Sequence, residues 1–124
     1  KLKPDNVPIT SYQPIQRLIG EMKIELEKGL LMIQRAAWTL KTFGAEEAFP
    51  AISAAKFTAA EASASITDKA IKIAGGSGLL RDYPLERYHR EARAGLVMPP
   101  NSEKCLDTVA KSLIEANPVM AGTP

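Results

Sequence analysis

The chain has 124 residues, of which 45% are hydrophobic and 24% charged, and this falls within the range of one globular domain. Sixteen basic against fourteen acidic residues leave a net charge of +2, and because the signs alternate along the chain the charges do not indicate a nucleic-acid-binding protein. One cysteine excludes an intramolecular disulfide, and the longest apolar runs are far shorter than the ~20 residues of a membrane span, so we expect a soluble protein of a reducing compartment.

Residues 1–12 contain two prolines and an Asp-Asn pair, a composition that predicts an extended arm. The chain begins at Lys1 without a methionine, and we therefore expect a processed chain, a fragment or a subunit. A long first helix is predicted from Gln13 to Phe43, because proline is tolerated in a first turn and Gly44 can serve as the C-cap.

Apolar residues repeat along this first helix at the three-and-four spacing of one buried face. They are Ile15, Leu18, Ile19, Met22, Leu26, Gly29, Leu30, Ile33, Ala37 and Leu40. A second stripe, Ile24, Leu31 and Trp38, recurs every seven residues on roughly the opposite side. A helix that is apolar on two sides packs between two neighbours.

A second long helix is predicted from Glu46 to Ala74, with Pro50 confined to its first turns. Its apolar face is rich in alanine, which allows close approach of a neighbouring helix. The face consists of Ile52, Ala55, Ala59, Ala62, Ile66, Ala70 and Ile73.

A third helix is predicted from Pro84 to about Val97, where Pro99 and Pro100 must end it. Its shared face is Leu85, Tyr88, Ala92 and Leu96. Asn101 or Ser102 is expected to cap a fourth helix. The apolar residues of that helix are Leu106, Val109, Ala110, Leu113 and Ile114.

The predicted fold is all-α: an antiparallel helical bundle of two long and two shorter helices over residues 13–116. The main stripe of the first helix is expected to be buried by the second and fourth helices. Residues 117–124 are expected to form a frayed tail.

Three glycines, GGSG from Gly75, follow the second helix. They match neither a dinucleotide fingerprint nor a P-loop, because no strand precedes them and no Gly-Lys-Ser/Thr follows. One interpretation is a helix C-cap in which a glycine takes a positive φ. The other is a turn whose missing side chains let a phosphate or a flavin approach the backbone.

The glycines continue into the stretch GGSGLLRDYPLERYHREAR, in which Asp82, Arg87 and Glu91 follow at intervals. This order resembles a signature near the C-terminus of the acyl-CoA dehydrogenases, flavoenzymes that desaturate acyl-CoA thioesters. The stretch QPIQRLIGEMKIELEKGLLMIQRAAW is similar to the family helix that carries a Gln, a Glu-Met pair and a late Arg-Ala-Ala. The resemblance covers about residues 12–116 and implies the second to fifth helices of the family's C-terminal bundle.

The resemblance implies contacts with FAD, which is shared with other polypeptide. In the family, a glutamine and the glycine pair contact the adenylate side of an FAD held by the neighbouring subunit. Here Lys72 replaces the glutamine, as a point charge that can still meet the pyrophosphate, while Gly75 and Gly76 match. Tyr12 and Gln13 lie where the family places another flavin-contacting pair, and of these Gln13 matches.

The family's usual catalytic glutamate falls at Pro99, and Pro100 replaces a glycine that lets the acyl chain pass. Since proline cannot accept a proton, the resemblance assigns no catalytic residue to this chain. The polar residues Asn101, Ser102 and Glu103 follow where the family contacts the flavin or its ribityl chain.

Four other polar groups are expected to be structural, and no metal site is predicted. They are a surface or helix-capping His89, a first-turn pair Glu46 and Glu47, an ion-pair face of Arg87, Arg90, Glu91 and Arg93, and a packing thiol at Cys105.

The resemblance thus implies part of an FAD-dependent oxidoreductase that acts on acyl-CoA, inactive as an isolated chain. Its implied partners are the N-terminal and β-domain polypeptide of the enzyme and further subunits of a homo- or hetero-oligomer. A cytoplasmic location is expected, or the mitochondrial matrix or peroxisome in a eukaryote. The alternative is a non-catalytic helical assembly module derived from the same domain.

Overall fold

A computed structural model describes residues 6–122 of the chain. Four α-helices follow one another: α1 (Gln13–Phe43), α2 (Ala45–Ala74), α3 (Leu85–Val97) and α4 (Ser102–Glu115). Two short 3-10 helices, Ile9–Ser11 and Gly75–Leu79, precede α1 and follow α2. The predicted all-α fold class is confirmed, and within residues 6–122 no helix is both long and apolar enough to cross a membrane.

The helix ends follow the predicted chemistry. Pro14 lies in the first turn of α1, and Gly44 ends that helix with a φ of 90° while its N–H donates to the carbonyl of Leu40. The Asn101 side chain accepts a hydrogen bond of 2.9 Å from the backbone N–H of Lys104 and so caps α4. In the predicted arm, residues 1–5 lie outside the described part, and Ile9–Ser11 forms a 3-10 turn instead of extended chain.

Helix α2 is the central element of the fold. Helix α1 packs along one side of it, and α3 and α4 follow each other along another side. Both flanking layers are antiparallel to α2, as two contacts show: Lys69 near its C-terminal end lies 3.7 Å from Glu21 of α1, and Lys56 at its middle donates to the carbonyl of Gly95 at the end of α3. The antiparallel arrangement is therefore as predicted.

The helices meet through small side chains. The buried residues of α2 are Ala48, Ser53, Ala55, Ala60, Ala62 and Ala64. At Gly29 of α1, an added Cβ would already lie 3.8 Å from Ala59 and Ala62. Because little side chain separates the two axes, only a narrow strip of each helix is covered.

The predicted main stripe of α1 is largely wrong. The buried or half-buried residues of α1 that form the actual strip are Ile15, Leu18, Met22, Glu25, Gly29, Met32, Ala36 and Thr39. The bulky members Ile19, Leu26, Leu30, Ile33 and Leu40 are exposed, as is Ala37. The reason is that α2, the one close neighbour of α1, covers only a strip with heptad spacing. Helix α4 packs on α2 and does not cover the wider aliphatic face of α1.

On the shorter helices, too, several residues of the predicted apolar faces are exposed. On α4, Leu106, Ala110, Leu113 and Ile114 are exposed, whereas Cys105 is fully buried. On α3, the predicted face member Tyr88 is 46% exposed. The apolar residues of the sequence thus exceed what four helices in this arrangement can bury.

Candidate functional site

The turn after α2 is built by glycine. Gly75 ends the helix with a φ of 67°, which L side chains rarely adopt, and its N–H donates to the carbonyl of Ile71. The 3-10 helix Gly75–Leu79 follows, and the N–H of Leu80 donates to the carbonyl of Ser77 at 3.2 Å. The predicted C-cap with a positive φ is confirmed.

The other two glycines of the turn differ in what surrounds them. A Cβ on Gly78 would lie 3.0 Å from the Cβ of Ala74 and 3.3 Å from the carbonyl of Ile71, so packing requires glycine there. A Cβ on Gly76 would meet nothing within 4 Å. Gly76 also lacks a positive φ. Neither the backbone conformation nor the packing of the described chain therefore explains why position 76 has no side chain.

An open groove adjoins this turn. Its volume is ≈ 380 Å³, and it is lined by Ala74, Ser77, Tyr83 and Leu85. Tyr83 is 53% exposed, so its ring presents an accessible flat surface beside the backbone. The turn can therefore be approached by a planar or phosphate-bearing group without displacing a side chain.

Lys72 lies one turn before the glycines and is already paired. Its ammonium is 2.7 Å from the carboxylate of Asp68. This hydrogen bond lowers the pKa of the Asp68 carboxyl below its usual value, and nearby positive charge on Lys72 acts in the same direction. Since the Lys72 side chain is 63% exposed, it remains accessible to a ligand.

Tyr12 and Gln13 lie at the same end of the fold as the glycine turn. They begin α1, and α1 runs antiparallel to α2 with Glu21 beside Lys69. The preceding segment is fixed to the helix, because the Gln16 amide donates to the carbonyl of Thr10 at 3.0 Å. The structure thus places Tyr12, Gln13, Lys72, Gly75 and Gly76 at one end of the α1–α2 pair. We call these five residues the end cluster.

The second predicted group, Asn101, Ser102 and Glu103, lies elsewhere. It forms the start of α4, beside the level of Lys56 on α2, where the Lys56 ammonium donates to the carbonyl of Met98 at 3.1 Å. Gly75 follows Lys56 by 19 positions, which corresponds to about 28 Å along the axis of α2. The structure therefore does not bring the two groups together, and we call this one the α4 cluster.

Pro99 and Pro100 directly precede the α4 cluster, and neither has a group that can take up a proton. Both prolines are exposed, and the peptide bond between them is cis. The Ser102 hydroxyl oxygen is buried and has no hydrogen-bond partner among residues 6–122. Glu103 is exposed in the first turn of α4, where a carboxylate also complements the helix dipole.

The expected ion-pair face forms in part, because Arg87, Arg90 and Glu91 take part in ion pairs whereas Arg93 takes part in none within residues 6–122. Arg87 pairs with Glu91 at 3.7 Å, and Arg90 pairs with Glu86 at 3.8 Å. Glu46 and Glu47 lie in the first turn of α2. Within residues 6–122, no three metal-ligating side chains converge.

His89 and Cys105 face α2. His89 is half-buried instead of lying on the surface or capping a helix, and its Nδ1 lies 3.4 Å from the Thr67 hydroxyl of α2. Cys105 is fully buried and its thiol lies 3.6 Å from the carbonyl of Pro100, as a packing thiol should.

Lys56 was missed by the sequence reasoning. It is a single lysine in the alanine-rich stretch AISAAKFTAA, and it lies half-buried with two backbone carbonyls as partners. The only signal in the sequence was this isolated charge in a stretch that packs through small side chains.

Comparison with known proteins gives a consistent result. The sequence model described as "Acyl-CoA dehydrogenase, C-terminal domain" matches residues 3–114. A 3-(aryl)acrylate reductase of Clostridium sporogenes is 32% identical over 91% of this chain and 29% of its own length. The short-chain specific mitochondrial acyl-CoA dehydrogenase of Rattus norvegicus is 37% identical over 77% of this chain and 23% of its own length.

Two further proteins broaden this comparison. A 3-sulfinopropanoyl-CoA desulfinase of Paraburkholderia xenovorans is 36% identical over 86% of this chain and 27% of its own length. A solved structure described as a "putative acyl-CoA dehydrogenase from Mycobacterium abscessus" matches with a TM-score of 0.85 and 28% identity, over 92% of this chain and 28% of that one. The chain thus spans less than a third of the length of each of these relatives.

Proposed function

Because this chain belongs to the acyl-CoA dehydrogenase family, whose C-terminal helical domain it matches, we propose that it contributes cofactor contacts and subunit contacts to an FAD-dependent acyl-CoA oxidoreductase. The proposed reaction is α,β-desaturation of an acyl-CoA thioester. In this proposal most of the flavin and substrate site belongs to other polypeptide, since the chain spans less than a third of its relatives. The relatives include a reductase and a desulfinase by name, so the acyl group itself is left open.

The observation that carries this proposal is the open position at Gly76. Gly78 is required by packing and Gly75 by its backbone angle, but Gly76 has neither reason to be glycine. An adenylate group of an FAD held by a neighbouring subunit would supply the missing reason, because a bare backbone allows close approach. The open groove lined by Ala74 and Ser77 beside the turn supports this proposal, because it leaves the turn accessible.

The roles of the end cluster follow from its chemistry. The Gln13 amide can both donate and accept hydrogen bonds, and Lys72 offers a positive charge to the pyrophosphate. To do so, Lys72 must exchange its exposed ion pair with Asp68 for a phosphate oxygen. An exposed pair of this kind stabilises the chain little, so its loss opposes binding only weakly. Tyr12, at the N-cap of α1, borders the same end.

The α4 cluster faces a different part of the assembly. Asn101, Ser102 and Glu103 are proposed to border the flavin or its ribityl chain, and the unpartnered Ser102 hydroxyl fits a polar contact there. When bound, the flavin supplies the hydride acceptor of the reaction. The α-proton must be taken by a base on other polypeptide, because Pro99 and Pro100 have no group that accepts it.

The exposed apolar face of α1 supports the proposed partners. Ile24, Leu31 and Trp38 form a stripe on the side away from α2, and each is about 60% exposed. A contiguous apolar stripe of this size is typical of a protein interface. The proposed occupants are the rest of the enzyme polypeptide or another subunit.

A second function, a non-catalytic assembly module, is favoured by one observation. Lys72 replaces the family's glutamine, and its charge is engaged by Asp68 in the described structure. In this alternative the exposed stripe is retained for oligomer packing and no flavin is bound. Flavin absorbance of the protein purified from its native source distinguishes the two functions.

Position 76 provides the sharper test. Gly76→Ala and Gly76→Asp are expected to leave the melting temperature of the chain nearly unchanged, because the Cβ enters open space. In the flavin-containing native protein, the same changes should weaken FAD binding, and aspartate more than alanine, since it repels the phosphates. Asn117→Asp, which adds the same charge at an exposed position after α4, at the other end of α2, is the matched control. Unaltered FAD affinity in Gly76→Asp would refute the proposed contact.

A further inference from the structure

Lys56 makes an unusual contact between the middle of α2 and the end of α3. Its ammonium donates to the carbonyl of Gly95 at 2.6 Å and to that of Met98 at 3.1 Å. The side chain is half-buried, and charge-assisted hydrogen bonds of this kind are among the stronger ones in proteins. One lysine of α2 thus binds two carbonyls that span the last turn of α3 and the residue after it.

The end of α3 has few other means of satisfying these carbonyls. The last turn of α3 contains no basic residue, and the chain leaves the helix at Met98 in an extended conformation. Helices leave their final carbonyls without partners inside the helix, and a lysine can bind them. Gly95 lies directly against α2, since a Cβ there would be in ordinary contact with the Cβ of Ala60 at 3.6 Å.

The chain after Met98 is held from its other side by α4. The Asn101 side chain caps α4 through the N–H of Lys104, and the Cys105 thiol contacts the carbonyl of Pro100. Residues 98–101 therefore lie between two anchors, Lys56 on α2 and the first turn of α4. If the first anchor were lost, α4 would keep its cap and its packing on α2 through Cys105, but residues 98–100, which lead into the α4 cluster, would lose their fixed position relative to α2.

We propose that Lys56 is a positioning residue that holds residues 98–103 against α2, so that the α4 cluster is presented in one orientation to its ligand. The proposal rests on the proposed function for the identity of that ligand, FAD. The anchoring itself does not depend on the proposed function, because it follows from the contacts of Lys56. Lys56 does not touch the proposed flavin and has no chemical step.

The anchoring is tested by amide hydrogen exchange on the chain. Lys56→Met keeps most of the aliphatic stem but removes the donors, and Lys56→Arg restores donors at a similar reach. We expect exchange at the Met98 amide, which donates to the carbonyl of Ala94, and at the last turn of α3 to rise about tenfold or more in Lys56→Met, as local opening becomes easier, and to be restored in Lys56→Arg. Lys23→Met, which removes an exposed ion pair with Glu27 on α1, is the matched control and should change nothing at these amides.

The positioning role is tested in the native flavin-containing protein. Lys56→Met should weaken FAD binding several-fold and shift the flavin absorbance, with rescue by Lys56→Arg. Unchanged exchange in Lys56→Met overturns the anchoring, and faster exchange with unaltered FAD affinity and spectrum overturns the positioning role. If the wild-type protein binds no flavin, the proposed function fails, and the exchange measurement alone then decides whether Lys56 holds the segment. A general loss of stability would raise exchange in all four helices, which also counts against the proposal.

Discussion

Leu31→Asp is expected to abolish self-association through the exposed stripe of α1. Leu31, Trp38 and Ile24 are 63%, 59% and 59% exposed. Complete burial of such side chains is worth ~1.5–3 kcal/mol each, so covering the exposed part is worth about 1–2 kcal/mol each, or about 3–5 kcal/mol per copy. In a two-fold dimer both copies contribute, which gives about 6–10 kcal/mol.

Association itself opposes this gain by at least ~4 kcal/mol. Up to about 6 kcal/mol therefore remains, which corresponds to a dissociation constant of tens of micromolar. The edge contact between the rings of Trp38 and Phe43, with centroids 5.6 Å apart, extends the apolar surface at one end of the stripe. We expect the chain to form a dimer or higher oligomer at about 100 μM.

Sedimentation velocity across a concentration series measures this association. Leu31→Asp places a charge in the centre of the stripe in both copies and should weaken association by about a hundredfold or more. Asn117→Asp introduces the same charge at an exposed polar position after α4, away from α1, and should leave association unchanged. A stable monomer at high concentration in the wild type, or equal association in Leu31→Asp, would show that the stripe does not mediate contacts between copies.

Three further outcomes are expected. Gly29→Ala should raise the melting temperature slightly, since its Cβ fits at 3.8 Å and alanine favours helix by ~1 kcal/mol, whereas Gly29→Leu should destabilise the chain by about 1–3 kcal/mol in a denaturant titration. Lys72→Gln should raise the pKa of Asp68 in an NMR titration, because it removes the main cause of the lowered pKa. In the wild type, the stabilisation by this pair is fully present above the ordinary aspartate pKa and is lost as the pH falls through the lowered pKa. The isolated chain should show no acyl-CoA turnover with an artificial electron acceptor, and Pro99→Glu with Pro100→Gly should not restore any; measurable desaturation by either protein would contradict the assignment of the base to other polypeptide.

The helices and their ends were readable from the sequence. Pro14, Gly44, Gly75 and Asn101 act within one or two turns of their own positions, through a fixed φ, a positive φ or a side-chain cap. Such local effects need no knowledge of the neighbouring helices. The family was likewise recognisable from the glycine signature and the first long helix, and the match over residues 3–114 confirms it.

The side of each helix that is buried was predicted less well. The apolar residues of α1 cover so wide an arc that several faces of the helix could be the buried one. The sequence favoured the face with the bulkiest side chains, which includes Leu26, Leu30 and Ile33. Alanine-rich α2 instead selected the narrow strip around Gly29 and Ala36, because close approach favours the smallest side chains. Which strip is covered depends on the partner helix, and the sequence of α1 alone does not contain that information.

The candidate site shows the same division. The sequence by itself determined that glycines end α2, because this is a property of single residues, and the resemblance predicts that prolines stand where the family places its base. Only the tertiary structure decided that Gly76 is free of both backbone and packing constraints, that the end cluster and the α4 cluster lie at different levels of α2, with the level of Lys56 about 28 Å from that of Gly75, and that Lys56 binds the end of α3. Each of these depends on distances between helices that are remote in sequence, and such distances are fixed only when the side chains of all the helices pack together.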